Sequence, residues 1–194
     1  MKKIYWALSL CIVVAIALAY SPASILNIKL ITATKPSVKA QVAYALKYYD
    51  SPNIKKYTDL GATDCANFTS QTLHARGWHM TNEWKAVKEN GNQFYTRAWI
   101  SSTALHDYIK KHKLAKALTW KQRDQVQVGD IVQFDWDNSG DRDHTAIVSG
   151  ILETNGNKEI LLAEHSKGAF NFPISAILAI HFGPTKVYFW HLGK

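Results

Sequence analysis

The sequence predicts an α+β domain in which N-terminal helices pack on a C-terminal antiparallel β-sheet. In the first half of the chain, apolar residues recur every three or four positions, as they do on one face of a helix. After Gln127 they occur instead in short runs bounded by turn residues, which is typical of strands. Helices followed by strands indicate an α+β domain, and 194 residues fit one such domain.

The first residues have the pattern of a secretory signal. Met1-Lys2-Lys3 precede an apolar run from Ile4 to Tyr20, and small residues follow it. The apolar run is short for spanning a bilayer, although an uncleaved anchor is the alternative. We expect residues 1–23 to be a signal peptide or N-terminal membrane anchor, residues 24–36 a connector and residues 37–194 one domain. The protein is then secreted or held at the cell envelope.

Four segments with helical spacing or capping signals come next. They run from Ser37 to about Ser51, from Cys65 to Gly77, from Asn82 to Lys88, and from Ser101 or Ser102 to about Lys113. Thr63 or Asp64 can cap the second of these helices, and Gly77 can end it, because glycine readily adopts the left-handed conformation found after a helix.

Four short apolar runs in the second half predict strands. They are Ile131 to Phe134, Thr145 to Val148, Ile160 to Ala163 and Val187 to Trp190. Asn155-Gly156 lies between the second and third of these runs, and this dipeptide is a strong signal for a two-residue hairpin turn. The middle strands should therefore pair as an antiparallel hairpin.

Cys65 is the sole cysteine that remains once residues 1–23 are removed, since Cys11 lies within them. An exported chain with a single thiol cannot form an internal disulfide. Cys65 falls in the first turn of a predicted helix, where unpaired N–H groups and the helix dipole favour a thiolate. The alternative is a buried small hydrophobe, which is the commoner role of a lone cysteine.

A nucleophilic thiol needs a base, and His144 is the best placed of the eight histidines because it opens a predicted strand. If Asn155-Gly156 forms the turn, Ala146 pairs with His165, and His165 becomes the diagonal neighbour of His144. Glu164 then falls on the opposite face. We therefore expect His165 to orient His144, although a one-residue slip in register would reverse this assignment.

Two alternatives involve a metal. His144, His165 and a nearby Asp could bind zinc, but zinc usually has three or four closely grouped ligands, and Cys65 would have to join them. The loop from Asp135 to Asp143 resembles the first part of a calcium loop, yet Ala146 stands where the closing Glu belongs. A turn rich in Asp and Gly explains this loop, and we expect neither a metal nor a cofactor.

Five segments occur in order along the domain: Asp64 to Gln71 (DCANFTSQ), Gly77-Trp78, Gly129 to Phe134 (GDIVQF), Asp143 to Val148 (DHTAIV) and Glu164-His165-Ser166. Together they resemble the amidase-domain family of papain-like cysteine hydrolases, which is related to CHAP and NlpC-type cell-wall peptidases. The resemblance implies a papain-like fold and acyl transfer with Cys65 as nucleophile, His144 as base and His165 as orienting group. It also implies amide bonds of peptidoglycan as the substrate.

Lys and Arg number 23 against 15 acidic residues, which gives a formal net charge of +8. A basic surface favours polyanions, and without a basic run interleaved with aromatic residues we expect an anionic cell-wall polymer rather than nucleic acid. The leading hypothesis is a monomeric, exported cysteine amidase or peptidase that cleaves peptidoglycan. The alternatives are a toxin-like amidase acting on a partner protein and an inactive wall-binding domain. Trp136, in the loop before His144, is the candidate aromatic for substrate contact.

Overall fold

The computed structural model describes residues 27–165, 168–181 and 183–193, and it has the mixed helical and antiparallel architecture that the sequence predicts. Its elements are β1 (Ile28–Ile31), α1 (Pro36–Tyr48), α2 (Cys65–Arg76), β2 (Ala86–Glu89), β3 (Asn92–Tyr95), α3 (Arg97–Ile100), α4 (Ser102–Lys111), β4 (Lys116–Thr119), β5 (Ile131–Asp135), β6 (His144–Thr154), β7 (Asn157–Glu164), β8 (Ala169–Pro173), α5 (Ile174–Ile180) and β9 (Lys186–His191). Two 3₁₀ turns, Gly61–Thr63 and Trp120–Gln125, precede α2 and follow β4.

The predicted signal peptide or anchor, residues 1–23, lies outside the described residues. Across the ranges that the structure does describe, we find no helix with both the length and the apolar character needed to cross a bilayer.

Seven of the described strands form one antiparallel sheet. Six follow the order β4-β9-β5-β6-β7-β8, and β1 pairs with the second half of β6. The predicted turn between β6 and β7 is confirmed, because Asn155 and Gly156 both have positive φ and Thr154 pairs with Asn157. β6 has 11 residues, so its first half pairs with β5 and its second half with β1. β2 and β3 form a separate hairpin.

Helices cover both faces of the sheet. On one face, Ile147 and Ala163 pack with Ala45 of α1 and Phe68 of α2. On the other, apolar residues of β5, β6 and β9 pack with α5 and with residues that flank the second 3₁₀ turn. The predicted packing of N-terminal helices on the sheet is therefore present, and α5 adds a layer that the sequence reading did not include.

α2 is enclosed by the rest of the domain. Nine consecutive residues, Cys65 to Leu73, are buried, including several polar ones. Two of these polar side chains bond to Trp99: Ser70 Oγ donates to the Trp99 carbonyl at 2.8 Å, and Asn67 Oδ1 accepts from Trp99 Nε1 at 2.9 Å. Because buried polar groups without partners are costly, this network fixes the helix in one position.

Three parts of the sequence prediction were wrong or incomplete. Residues 24–36 were expected to be a connector, but Ile28–Ile31 form β1, because β6 extends beyond β5 and offers a free edge there. The helix expected from Asn82 to Lys88 is instead the start of the β2–β3 hairpin, whose turn, Asn90-Gly91, has positive φ at both residues. The strands β4 and β8 were not predicted.

Candidate active site

Cys65 is the first residue of α2, as the sequence predicts, and Gly77 ends the helix with a φ of 110°. The first N–H groups of a helix have no partner within it, and the helix dipole places partial positive charge around them. The residue is 7% exposed, so these groups act on the thiol with little screening by water.

Three groups hydrogen-bond to the Cys65 sulfur: the His144 side chain, the Ser102 hydroxyl with Oγ 3.5 Å from Sγ, and the backbone N–H of Thr145. Burial acts to raise the pKa of the thiol. The hydrogen bond to His144 and its charge, followed by the contributions of Ser102 and Thr145, outweigh burial and lower the pKa below its ordinary value. The site therefore favours a thiolate.

His144 begins β6, and its Nε2 donates to Glu164 Oε2 at 2.5 Å. Burial acts to lower the pKa of His144, but hydrogen bonds and charge from Cys65 and Glu164 outweigh it and raise the pKa to about 9. His144 is therefore an imidazolium at neutral pH, and its charge favours the thiolate form of Cys65.

The predicted role of His165 as the group that orients His144 was wrong, and Glu164 makes that contact instead. The cause is one extra residue in β6: Gly150 pairs with Leu161 as predicted, but Val148 pairs with Leu162, so Ser149 is bulged out of the ladder. Because side chains alternate along a strand, a shift of one residue exchanges the two faces. Glu164 consequently points to the face that carries His144.

His165 lies instead against the start of α2. Its Nδ1 donates to Asp64 Oδ2, and its ring stacks on Phe68 with centroids 5.0 Å apart. Asp64, Asp59 and His165 bring potential ligand atoms within 4.8 Å of one another, as do the carboxylates of the loop from Asp135 to Asp143. Within the described ranges, neither group includes Cys65 or His144.

Ser102 is a site residue that sequence reasoning missed. It is the first residue of α4 and is buried, and its carbonyl accepts from Gln133 Nε2 at 2.7 Å. Ser101 caps the same helix by accepting from the Ala104 amide, so two adjacent serines have different roles. The only sequence signal was the start of a helix, and spacing alone gives no reason to place it beside Cys65.

The Trp136 indole lies beside His144, and other aromatic rings pack against it. Its ring is nearly parallel to Phe134, with centroids 4.5 Å apart, and to His181, with centroids 3.8 Å apart. His144 lies 6.1 Å away on the same measure. Since two parallel neighbours occupy its faces, any substrate contact by Trp136 would involve the edge of the indole.

A thiol, an imidazole and a carboxylate connected by hydrogen bonds at the start of a helix have the parts needed for nucleophilic acyl transfer. Residues 36–190 match the family model described as "Putative amidase domain", and the chain belongs to this family. Over 132 residues it is 26% identical to "Uncharacterized protein YhbB" of Bacillus subtilis (strain 168), which is 63% of this chain and 39% of that protein. The chain thus spans well under half the length of that relative. No solved structure matches.

Proposed function

We propose that this chain is an exported, papain-like cysteine amidase that cleaves amide bonds of bacterial peptidoglycan. The observation that carries the proposal is the hydrogen-bonded series Cys65, His144 and Glu164 at the N-terminus of α2. Membership of an amidase family indicates the bond class, and the three side chains supply a nucleophile, a base and an orienting carboxylate for it.

In the proposed reaction the Cys65 thiolate attacks the carbonyl carbon of the amide. The oxyanion that forms accepts hydrogen bonds from unpaired backbone N–H groups at the start of α2. His144 gives its proton to the nitrogen of the leaving amine as the C–N bond breaks, which leaves a thioester on Cys65. His144 then removes a proton from water, which attacks the thioester and releases a carboxylic acid and the Cys65 thiolate, so that the thiolate and imidazolium are restored. Glu164 holds the imidazole in place throughout.

A cell-wall substrate is supported by three features of the sequence. The first 23 residues have the pattern of a signal peptide or anchor, which would bring the domain to the envelope. The net charge of +8 favours an anionic polymer. The ordered segments around Cys65, His144 and Glu164 also resemble cell-wall peptidases of the CHAP and NlpC types.

The test is digestion of purified peptidoglycan by the protein and by three variants, with mass spectrometry of the released fragments. Cys65→Ala and His144→Ala should release no fragments, and the exposed His79→Ala is the matched control that should release them normally. New chain ends in the fragments identify the bond. Wall binding without fragments from any form would support the inactive wall-binding alternative. If no form binds or cleaves the wall, the toxin-like alternative remains, and an assay for cleavage of a partner protein would test it.

A further inference from the structure

Asp64 occupies the N-cap position of α2 but does not cap the helix. An Asp at this position ordinarily accepts hydrogen bonds from backbone N–H groups of the first turn. Here no such side-chain bond forms, and the residue is 1% exposed. The 3₁₀ turn Gly61–Thr63 leads directly into α2, so Asp64 has helical φ and ψ of −81° and −1° instead of the extended conformation of an ordinary N-cap.

The Asp64 carboxylate is held by three donors instead. Oδ1 accepts from the Leu60 amide at 2.9 Å and from Asn67 Nδ2 at 2.7 Å. Oδ2 accepts from His165 Nδ1. His165 directly follows β7, and the stacking of its ring on Phe68 fixes the direction of its N–H.

Glu164 and His165, which are adjacent at the end of β7, therefore bond to two different residues of the site. Glu164 positions the base, His144, while His165 binds the residue that precedes the nucleophile. Without His165, Oδ2 would lose its donor, while Leu60 and Asn67 would still hold Oδ1. Rotation of the carboxylate about Oδ1 could then turn Oδ2 toward the N–H groups of the first turn of α2, although the helical backbone of Asp64 differs from that of an ordinary N-cap. There it would occupy the N–H groups needed by an oxyanion, and its charge would raise the pKa of Cys65.

We propose that His165 is a positioning residue that holds the Asp64 carboxylate away from the N-terminus of α2, so that the donors beside Cys65 stay free. This inference rests on the proposed function, because it assigns those donors to the oxyanion of that reaction. It gives His165 a role that does not require contact with His144.

The test uses the rate of Cys65 alkylation by iodoacetamide as a function of pH, which needs no substrate. His165→Ala should move the profile to higher pH and slow alkylation on its acid side, where the rate falls tenfold for each unit by which the pKa of Cys65 rises. His165→Asn keeps an amide donor near the position of Nδ1 and should recover most of the rate, whereas the longer His165→Gln should not. Asp64→Ala in the His165→Ala background removes the released carboxylate and should restore the profile.

Asp59 provides the matched control, because it is an exposed carboxylate close to the same pair that accepts from the Gly61 amide. Asp59→Asn should leave the profile unchanged. An unshifted profile in folded His165→Ala would overturn the inference, and so would equal profiles for His165→Asn and His165→Gln. If His165→Ala does not fold, the comparison of His165→Asn with His165→Gln decides the question. An ordinary thiol profile in the unaltered protein would instead overturn the proposed function itself.

Discussion

Replacing Glu164 by Gln tests how the His144 imidazolium is stabilised. The pKa of His144 rises from its ordinary 6.5 to about 9, which corresponds to about 3 kcal/mol in favour of the charged ring. Cys65 and Glu164 both contribute to this rise, against the opposing effect of burial. Because Glu164 contributes both a hydrogen bond and a charge to this rise, Glu164→Gln should lower the His144 pKa below about 9. The amide keeps the shape of the side chain, so the change is one of charge.

The direct measurement is an NMR titration of the His144 ring between pH 5 and pH 10. In the unaltered protein the imidazolium should persist until the pH rises through about 9. In Glu164→Gln the midpoint should fall, and the alkaline limb of the turnover profile should move down with it, because His144 must be protonated to assist the leaving amine. Glu159→Gln removes the same charge from the same strand away from His144 and is the control. An unchanged midpoint in Glu164→Gln would refute the reasoning.

Ser102→Ala should raise the pKa of Cys65 by removing a hydroxyl 3.5 Å from the sulfur, and the pH profile of alkylation measures this. Ser101→Ala, its matched control, should lower the free energy of unfolding by about 1 kcal/mol through loss of a helix cap and leave the thiol profile unchanged. Gly129→Ala should destabilise the fold by about 2 to 4 kcal/mol in urea titrations, because φ is +92° and the new Cβ would lie 2.6 Å from Arg76 Nη1 and 2.7 Å from Val38 Cγ1. A midpoint within experimental error of the unaltered protein would contradict the packing argument for Gly129.

Periodicity and local turn chemistry were sufficient to predict the elements that present the thiol and the imidazole. The helical spacing after Cys65 and the stop at Gly77 define α2, and the Asn155-Gly156 turn defines the β6–β7 hairpin. Each signal involves residues that are close together in the chain, so a single sequence is enough to recognise it. The same kind of signal was present at Asn90-Gly91 and was overlooked in favour of a short helix.

The third member of the site depends on a feature that the local sequence does not encode. In the bulge, the Ser149 hydroxyl donates to Asn171 Oδ1 at 2.8 Å, with the Leu161 carbonyl 3.3 Å from the same oxygen, and β8 brings Asn171 to this position. Neither partner is close to Ser149 along the chain. The sequence therefore favoured an uninterrupted ladder, and this register assigned the orienting role to His165 instead of Glu164. Ser102 was missed for the same reason, since only the packing of α4 against α2 brings it to Cys65.

The bulge at Ser149 also has an evolutionary consequence. Whether a carboxylate or an imidazole contacts the base depends on the bulge at Ser149 as well as on the residues at 164 and 165. A substitution that lets Ser149 enter the ladder opposite Leu162, with no change in chain length, would shift the pairing by one residue and turn His165 toward His144. Members of a lineage could then differ in their orienting group while keeping the same dipeptide at the end of β7. Alignments that match residues column by column would record this dipeptide as unchanged, although its two side chains had exchanged roles.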